Sequence, residues 1–245
     1  MRFKNKVVLV TGSAKGIGKS TALEFAKEGA KLIINYMNSE KEANDLVNQI
    51  KKISDAIAIK CDVSDEKQVK EMFKKIIDKF GRIDVLVNNA GVVYDVPFFE
   101  RTNEQWKRTI DVDLFGVYIC SKHAAIYMKK QKSGKIVNIS SSSAINTNKV
   151  DSIDYAAAKA GVINLTNTLA KELGPDIQVN CISPGWIDTG MNNTFSKEFL
   201  ENERKRIYLK RFAKPEEVAK VILFLASDDA SFVNGVNFLV DGGYQ

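Results

Sequence analysis

Seven short apolar runs alternate with longer amphipathic ones along the chain. Residues 6–11 (KVVLVT), 31–36 (KLIINY), 56–60 (AIAIK), 83–87 (IDVLV), 135–140 (KIVNIS), 176–182 (DIQVNCI) and 235–240 (GVNFLV) place most of their apolar side chains consecutively. Such runs read as strands buried on both faces. Between them, residues 17–28, 40–53, 66–80, 103–130, 153–173 and 216–225 repeat at helical spacing. Start and stop signals agree with these bounds. Ser64-Asp65-Glu66-Lys67 offers a capping side chain, Gly29 and Gly81 end helices, and Pro215 suits a first helical turn. Strand-helix alternation of this kind predicts parallel pairing with right-handed crossovers and helices on both sheet faces. The expected fold is α/β, a doubly wound Rossmann-type parallel sheet of about seven strands. The eighth strand-helix unit that a barrel requires is not found, and no repeat or linker divides residues 1–245 into domains.

Ligands of such sheets sit beyond the carboxyl ends of the strands. Here those ends carry Thr11-Gly12, Asp62-Val63, Asn88-Asn89-Ala90-Gly91, the serines 140–143 and Pro184-Gly185. Composition narrows the chemistry that they can serve. At 44% hydrophobic and 27% charged, 245 residues describe a globular chain able to bury a large core. The longest uninterrupted apolar stretch, residues 221–226, is far short of the roughly twenty that a membrane span requires. A net charge of +6 is spread along the chain, which favours anions such as phosphates and not the clustered stripe of a nucleic-acid binder. Cys61, Cys120 and Cys181 stand in apolar surroundings, as buried free thiols of a reducing compartment would. The start, Met1-Arg2-Phe3-Lys4, carries no signal-peptide pattern, and a cytoplasmic location is expected. A lone histidine, His123, excludes a metal site built on several imidazoles, and no metal is expected. Its place in mid-helix reads as structural.

Thr11-Gly12-Ser13-Ala14-Lys15-Gly16-Ile17-Gly18 joins the first strand to the first helix. Its glycines allow a tight turn and close approach of backbone to a pyrophosphate, and the helix start presents free N–H groups to the anion. The spacing is not G-x-G-x-x-G, and the lysine of a Walker A loop is missing. A tyrosine and a lysine four apart share a helix face, so an ammonium can lower the pKa of a phenol and make it a usable acid or base. That spacing occurs twice, as Tyr155-Ala156-Ala157-Ala158-Lys159 and as Tyr118-Ile119-Cys120-Ser121-Lys122. Only the former follows a strand that ends in serines and lies among small residues that leave room for a cofactor. The latter reads as a structural helix face.

Taken in order, T-G-x-x-x-G-I-G, N-N-A-G, the serine-rich strand exit, Y-A-A-A-K and Pro184-Gly185 resemble the short-chain dehydrogenase/reductase family. The resemblance runs to Val240-Asp241-Gly242-Gly243. Within the family it is greatest to 3-oxoacyl-[acyl-carrier-protein] reductases and to sugar and polyol dehydrogenases. It implies a Ser-Tyr-Lys site in which Tyr155 is the acid/base and Lys159 tunes it. The serine stays open. Counting back thirteen from Tyr155 gives Ser142, whereas registering on the strand end gives Ser141, the reading that strand geometry favours. Where relatives carry an asparagine that helps hold a proton-relay water, this chain has Asp113. Its charge is expected to favour protonated Lys159 and to oppose ionisation of Tyr155.

The resemblance also implies a nicotinamide dinucleotide held by Gly12, Ser13, Lys15, Gly16, Ile17 and Gly18, with Asn35 and Tyr36 beside the adenosine ribose. Asp62 and Val63 would flank the adenine, and Asn89, Ala90 and Gly91 would follow the nicotinamide ribose. Tyr155, Lys159, Pro184, Gly185, Ile187 and Thr189 would complete the site. NAD enzymes place a carboxylate at the end of the second strand, and NADP enzymes want a cation there. Asn35-Tyr36-Met37-Asn38 offers no acid and Lys15 supplies a cation, so NADP is expected, with NAD possible if Lys15 is only a solvated loop charge. Residues 186–211 would form a lid over the substrate or simply a solvated helix face. The functions compatible with these residues are carbonyl reduction, with an acyl carrier protein as a candidate partner, oxidation of a sugar or polyol, and non-catalytic dinucleotide binding. Residues 103–130 and 153–173 carry apolar side chains on more than one face, and relatives assemble through such helices, so a homotetramer is expected.

Overall fold

The computed structural model describes residues 1–146, 150–190, 192 and 195–244. Its strands are β1 (Val7–Val10), β2 (Lys31–Tyr36), β3 (Ala56–Lys60), β4 (Val85–Asn88), β5 (Gly134–Ile139), β6 (Ile177–Pro184) and β7 (Asn237–Val240). All pair in parallel, in the order β3-β2-β1-β4-β5-β6-β7. The helices are α1 (Gly16–Lys27), α2 (Glu40–Ile50), α3 (Glu66–Phe80), α4 (Asn103–Ile110), α5 (Gly116–Gln131), α6 (Ile153–Leu173), α7 (Lys197–Arg206) and α8 (Pro215–Ala226). None of the described helices is long and apolar enough to cross a membrane.

Alternation along the strands explains why consecutive apolar residues are needed. In β1, Val8 and Val10 face a cluster that holds Phe25 of α1, Leu46 of α2 and Ile222 of α8. Val7 and Leu9 face the other cluster, with Phe73 of α3, Ile119 of α5 and Val179 of β6. Both faces are covered, and each fully buried Leu, Ile or Phe contributes about 1.5–3 kcal/mol. The helix boundaries follow local chemistry. Asp65 accepts hydrogen bonds from the Lys67 and Gln68 amides and starts α3, and a reciprocal Thr102–Gln105 capping pair starts α4.

Residues 103–130, read as one helix, form a single path with a break in its period. At Asp111–Phe115 the turn widens, and the Gly116 amide bonds the Asp111 carbonyl five residues back. Residues 40–53 stop being helical at Ile50, and α7 lies within the stretch 186–211, expected as a lid or a solvated helix face. The strand order reverses between β1 and β4, which opens a crevice beyond their carboxyl ends.

Candidate functional site

That crevice is built by backbone held at close range. Thr11, at the exit of β1, accepts hydrogen bonds at Oγ1 from the Asn89 and Ala90 amides, at 2.9 and 3.0 Å. Asn89 returns its side-chain amide to the Thr11 and Gly12 carbonyls, at 2.8 and 3.1 Å. Gly12 has φ +59°, and a Cβ there would stand 2.8 Å from the Ala90 Cα. A Cβ on Gly18 would stand 2.5 Å from Asn89 Nδ2. The glycines of the loop thus let β1, β4 and the start of α1 meet. No side chain caps α1, and its first turn carries no acidic residue. By contrast, α2, α3, α4, α6, α7 and α8 all carry acids in their first turn. An uncapped helix start left free of carboxylates suits a phosphate.

Asn35 and Ser13 serve this loop from beneath. Asn35 is buried, accepts from the Gly12 amide at 3.0 Å and donates to the Cys61 carbonyl at 3.0 Å. Ser13 donates its hydroxyl to the Val10 carbonyl and its amide to the Asn35 carbonyl. Both side chains are occupied inside the fold, and Tyr36 is buried in the core. Lys15 projects outward and pairs with Glu42 of α2 at 2.8 Å. Asp62 is fixed by Ser64 and by Arg108, the latter at 2.9 Å, and these contacts hold its carboxyl below the usual range against the effect of burial. Val63 packs on Gly116, where a Cβ would stand 2.8 Å from Val63 Cγ2.

Beyond β5 the serines separate. Ser140 is buried and donates to the Lys159 carbonyl at 2.8 Å. Ser141 acts on the Tyr155 phenol and lowers its pKa, and its own hydroxyl accepts from the Ser143 amide. Ser142 is turned into the short helix of residues 142–144, and its carbonyl accepts from the Ile145 and Asn146 amides. On α6, Lys159 Nζ lies 5.4 Å from the Tyr155 ring centroid. It donates to the Ile139 carbonyl at 3.0 Å and pairs with Asp113 Oδ2 at 3.2 Å. Asp113 Oδ1 accepts from the Val92 amide at 2.8 Å. A Cβ on Gly91 would stand 2.7 Å from Asp113 Oδ2, so only glycine admits the carboxylate.

This geometry sets the protonation states. Burial works against the Lys159 ammonium, but Asp113 holds its pKa above the ordinary lysine value. Burial pushes the Asp113 carboxyl up, and Lys159 and the Val92 N–H counter it. Burial also pushes the Tyr155 phenol up. Lys159 and Ser141 pull it down, and Asp113 adds to the rise. Asp113 thus meets Lys159, the group that its charge was expected to favour, in a direct ion pair.

The second tyrosine-lysine pair lies elsewhere. Tyr118 is exposed, and Lys122 pairs with Glu66 of α3 at 2.8 Å. His123 sits 3.4 Å from the same carboxylate and stacks on Phe73. The three cysteines are free and buried. Burial raises the thiol of Cys61 to about 12, that of Cys181 to about 11, and that of Cys120 likewise upward.

The family described as enoyl-(acyl carrier protein) reductase matches residues 12–245. The 3-oxoacyl-[acyl-carrier-protein] reductase of Thermotoga maritima is 45% identical over 99% of both chains. The chain belongs to the short-chain dehydrogenase/reductase family. The 3-oxoacyl-[acyl-carrier-protein] reductase of Synechocystis is 43% identical over 97% of this chain and 96% of its own. The meso-2,3-butanediol dehydrogenase of Serratia marcescens is 43% identical over 99% of this chain and 96% of its own. As a short-chain dehydrogenase/reductase the protein is an oxidoreductase, and the family implies a nicotinamide dinucleotide cofactor.

Other expected residues of this dehydrogenase lie along the exit of β6. The Gly185 amide bonds the Val240 carbonyl, and a Cβ at Gly185 would meet Asp241. Ile187 is buried and bridges to Ala213. Thr189 approaches Gly16, with 3.8 Å between Thr189 Cγ2 and a Cβ built there. Residues 191, 193 and 194 of the expected lid lie outside the described residues. Its helix α7 is seated by Phe199, which with Phe195 and Phe212 surrounds the Trp186 ring. Sequence reasoning missed Thr11 as the bracket of the N-N-A-G turn, and the buried pair Arg101–Asp154. For Thr11 the available signal was a hydroxyl at the last position of an otherwise apolar strand.

Proposed function

We propose that this dehydrogenase reduces the ketone of a 3-oxoacyl thioester, carried on an acyl carrier protein, to the secondary alcohol, with NADPH. The observation that carries the reading is the convergence of the Ser141 and Tyr155 hydroxyls with the Lys159 ammonium beside the switch-point crevice. When bound, the nicotinamide cofactor supplies the hydride. Ser141 orients the substrate carbonyl oxygen and Tyr155 donates the proton to it. Lys159 stabilises the phenolate that remains and reaches the cofactor ribose. Ser142 bonds its own short turn through its backbone carbonyl. Asp113 is a positioning residue that holds Lys159 charged. A phenol pushed up by burial and by Asp113 stays protonated at neutral pH, which favours reduction.

The glycine loop from Gly12 to Gly18 and the uncapped start of α1 would cradle the pyrophosphate. Asp62 and Val63 would flank the adenine, and Asn89, Ala90 and Gly91 the nicotinamide ribose. Pro184, Gly185, Ile187 and Thr189 would border the nicotinamide, with α7 as the lid. Asn35, Ser13 and Tyr36 would act through the loop that they support. For NADPH over NADH, the support is Lys15, which is exposed and can turn from Glu42 to a 2′-phosphate. The relatives from Thermotoga maritima and Synechocystis support the acyl-carrier-protein substrate. The Serratia marcescens relative supports a second reading, oxidation of a vicinal diol. A panel of acetoacetyl thioesters, acetoin and 2,3-butanediol with both cofactors tests the choice. The fastest turnover is expected for the thioester with NADPH, and a preference for the diol would reverse the assignment.

Exposed Phe115, Tyr118 and Ile126 about α5, with Phe238 and Leu239 on the edge strand β7, support a homotetramer. Light scattering at micromolar protein would return a four-chain mass. Unbridged buried thiols fit a cytoplasmic setting.

A further inference from the structure

Two buried ion pairs are anchored on α6, and the reaction above uses only one of them. Beside Lys159 and Asp113 stand Arg101 and Asp154, whose side chains are 4% and 0% exposed. Arg101 Nη1 meets Asp154 Oδ2 at 3.1 Å. Its Nη2 donates to the carbonyls of Tyr94, at 2.8 Å, Val96, at 3.3 Å, and Asp151. The Val96 amide also bonds the Asp151 carbonyl, at 2.9 Å.

A buried ion pair brings a desolvation penalty, so its geometry shows what it is for. Arginine–carboxylate pairs frequently close the fork on the carboxylate with two parallel hydrogen bonds. Arg101 does not. It makes one contact to Asp154 and spreads the other arm over three carbonyls of two chain segments. Nε and Asp154 Oδ1 are buried without hydrogen-bond partners among the described residues. What this arrangement joins is specific. Tyr94 and Val96 lie in the loop that leaves β4, whose other end is held where the Val92 amide meets Asp113. Asp151 and Asp154 lead into α6, and Asp154 is the residue before Tyr155. The loop is thus tied at one end to Asp113, the partner of Lys159, and at the other to the segment that leads to Tyr155.

We infer that Arg101 and Asp154 are positioning residues, a clamp that fixes the β4 exit loop against the first turn of α6 and so sets where Tyr155 meets the substrate carbonyl. The inference rests on the reading of Tyr155 as the acid. A misplacement of about 1 Å is enough to lower turnover up to a hundredfold with the reacting groups intact.

The test uses three variants of the full chain. Arg101→Lys keeps the charge but loses the fork, and kcat should fall about tenfold or more while the Kd of NADPH, followed by its fluorescence, stays within about twofold. Arg101→Met/Asp154→Leu removes both charges at similar volume, which should restore thermal stability without restoring kcat. Recovery of kcat together with the melting temperature would show a purely structural pair and overturn the inference. Either variant within about twofold of the parent kcat would do the same. Tyr155→Phe is measured alongside. If it is inactive and Arg101→Lys is unaffected, only the clamp is wrong. If Tyr155→Phe keeps its activity, the acid itself is misassigned and the clamp falls with it.

Discussion

Tyr118 with Lys122 on α5 and Tyr155 with Lys159 on α6 share one spacing on neighbouring helices, and the fold gives them opposite surroundings. Lys122 stands half in solvent against an equally exposed Glu66. Lys159 is enclosed and paired with an Asp113 that water does not reach. In water the attraction between such charges is screened to a small effect, whereas enclosed charges act strongly on any group beside them. Tyr155 lies beside such charges, with Ser141 acting on its phenol, whereas Tyr118 stands by an exposed pair. Spacing places a phenol near an ammonium. Burial and the third partner make the pair chemically useful.

The comparison breaks most sharply at the two hydroxyls. Tyr155→Phe should lower ketone reduction by about 10²–10⁴-fold, the usual share of a positioned acid, while Tyr118→Phe stays within about twofold. The fall in reduced-nicotinamide absorbance with acetoacetyl thioester reads both. Next come the lysines. Lys159→Met leaves the Asp113 charge buried and uncompensated, at a cost of about 3–5 kcal/mol, and should show a clearly lower melting temperature as well as lost activity. Lys122→Met should melt with the parent. The third test attacks the space that Asp113 needs. Gly91→Ala puts a Cβ within 2.7 Å of Oδ2 and should cost about 1–3 kcal/mol of stability with a marked fall in kcat. The smallest effect separates the cofactors. Lys15→Ala should raise the KM for NADPH and leave that for NADH unchanged.

Much of this architecture was legible in the chain. The consecutive apolar residues of KVVLVT announced a strand covered on both faces, and the small or polar exits announced the edge where the site lies. The widened turn at Asp111–Phe115 was not legible, because one extra residue hardly disturbs the periodicity of a long amphipathic run. It matters, since Asp113 lies in that turn and reaches Lys159 from it. The serine was undecided between Ser141 and Ser142 because strand register and loop length vote differently. Of the two, Ser141 is the one that bears on the Tyr155 phenol. Asn35 looked like a cofactor contact from its place at the end of β2. Its amide binds backbone at the ends of β1 and β3, a role that depends on pairs far apart in sequence.

The central claim is that Asp113 sets the proton balance of Tyr155, and matched pH–rate profiles of the parent and Asp113→Asn test it most directly. The charges that act on the phenol are Lys159 and Asp113, Ser141 lowers its pKa, and Asp154 bears on Asp113. Alcohol oxidation needs the phenolate and should rise through a pKa held above the ordinary tyrosine value. Ketone reduction needs the phenol and should fall through the same pKa. Removing the Asp113 charge lowers that pKa, so both limbs should move to lower pH in Asp113→Asn. Profiles that superimpose, or that move to higher pH, would contradict the account.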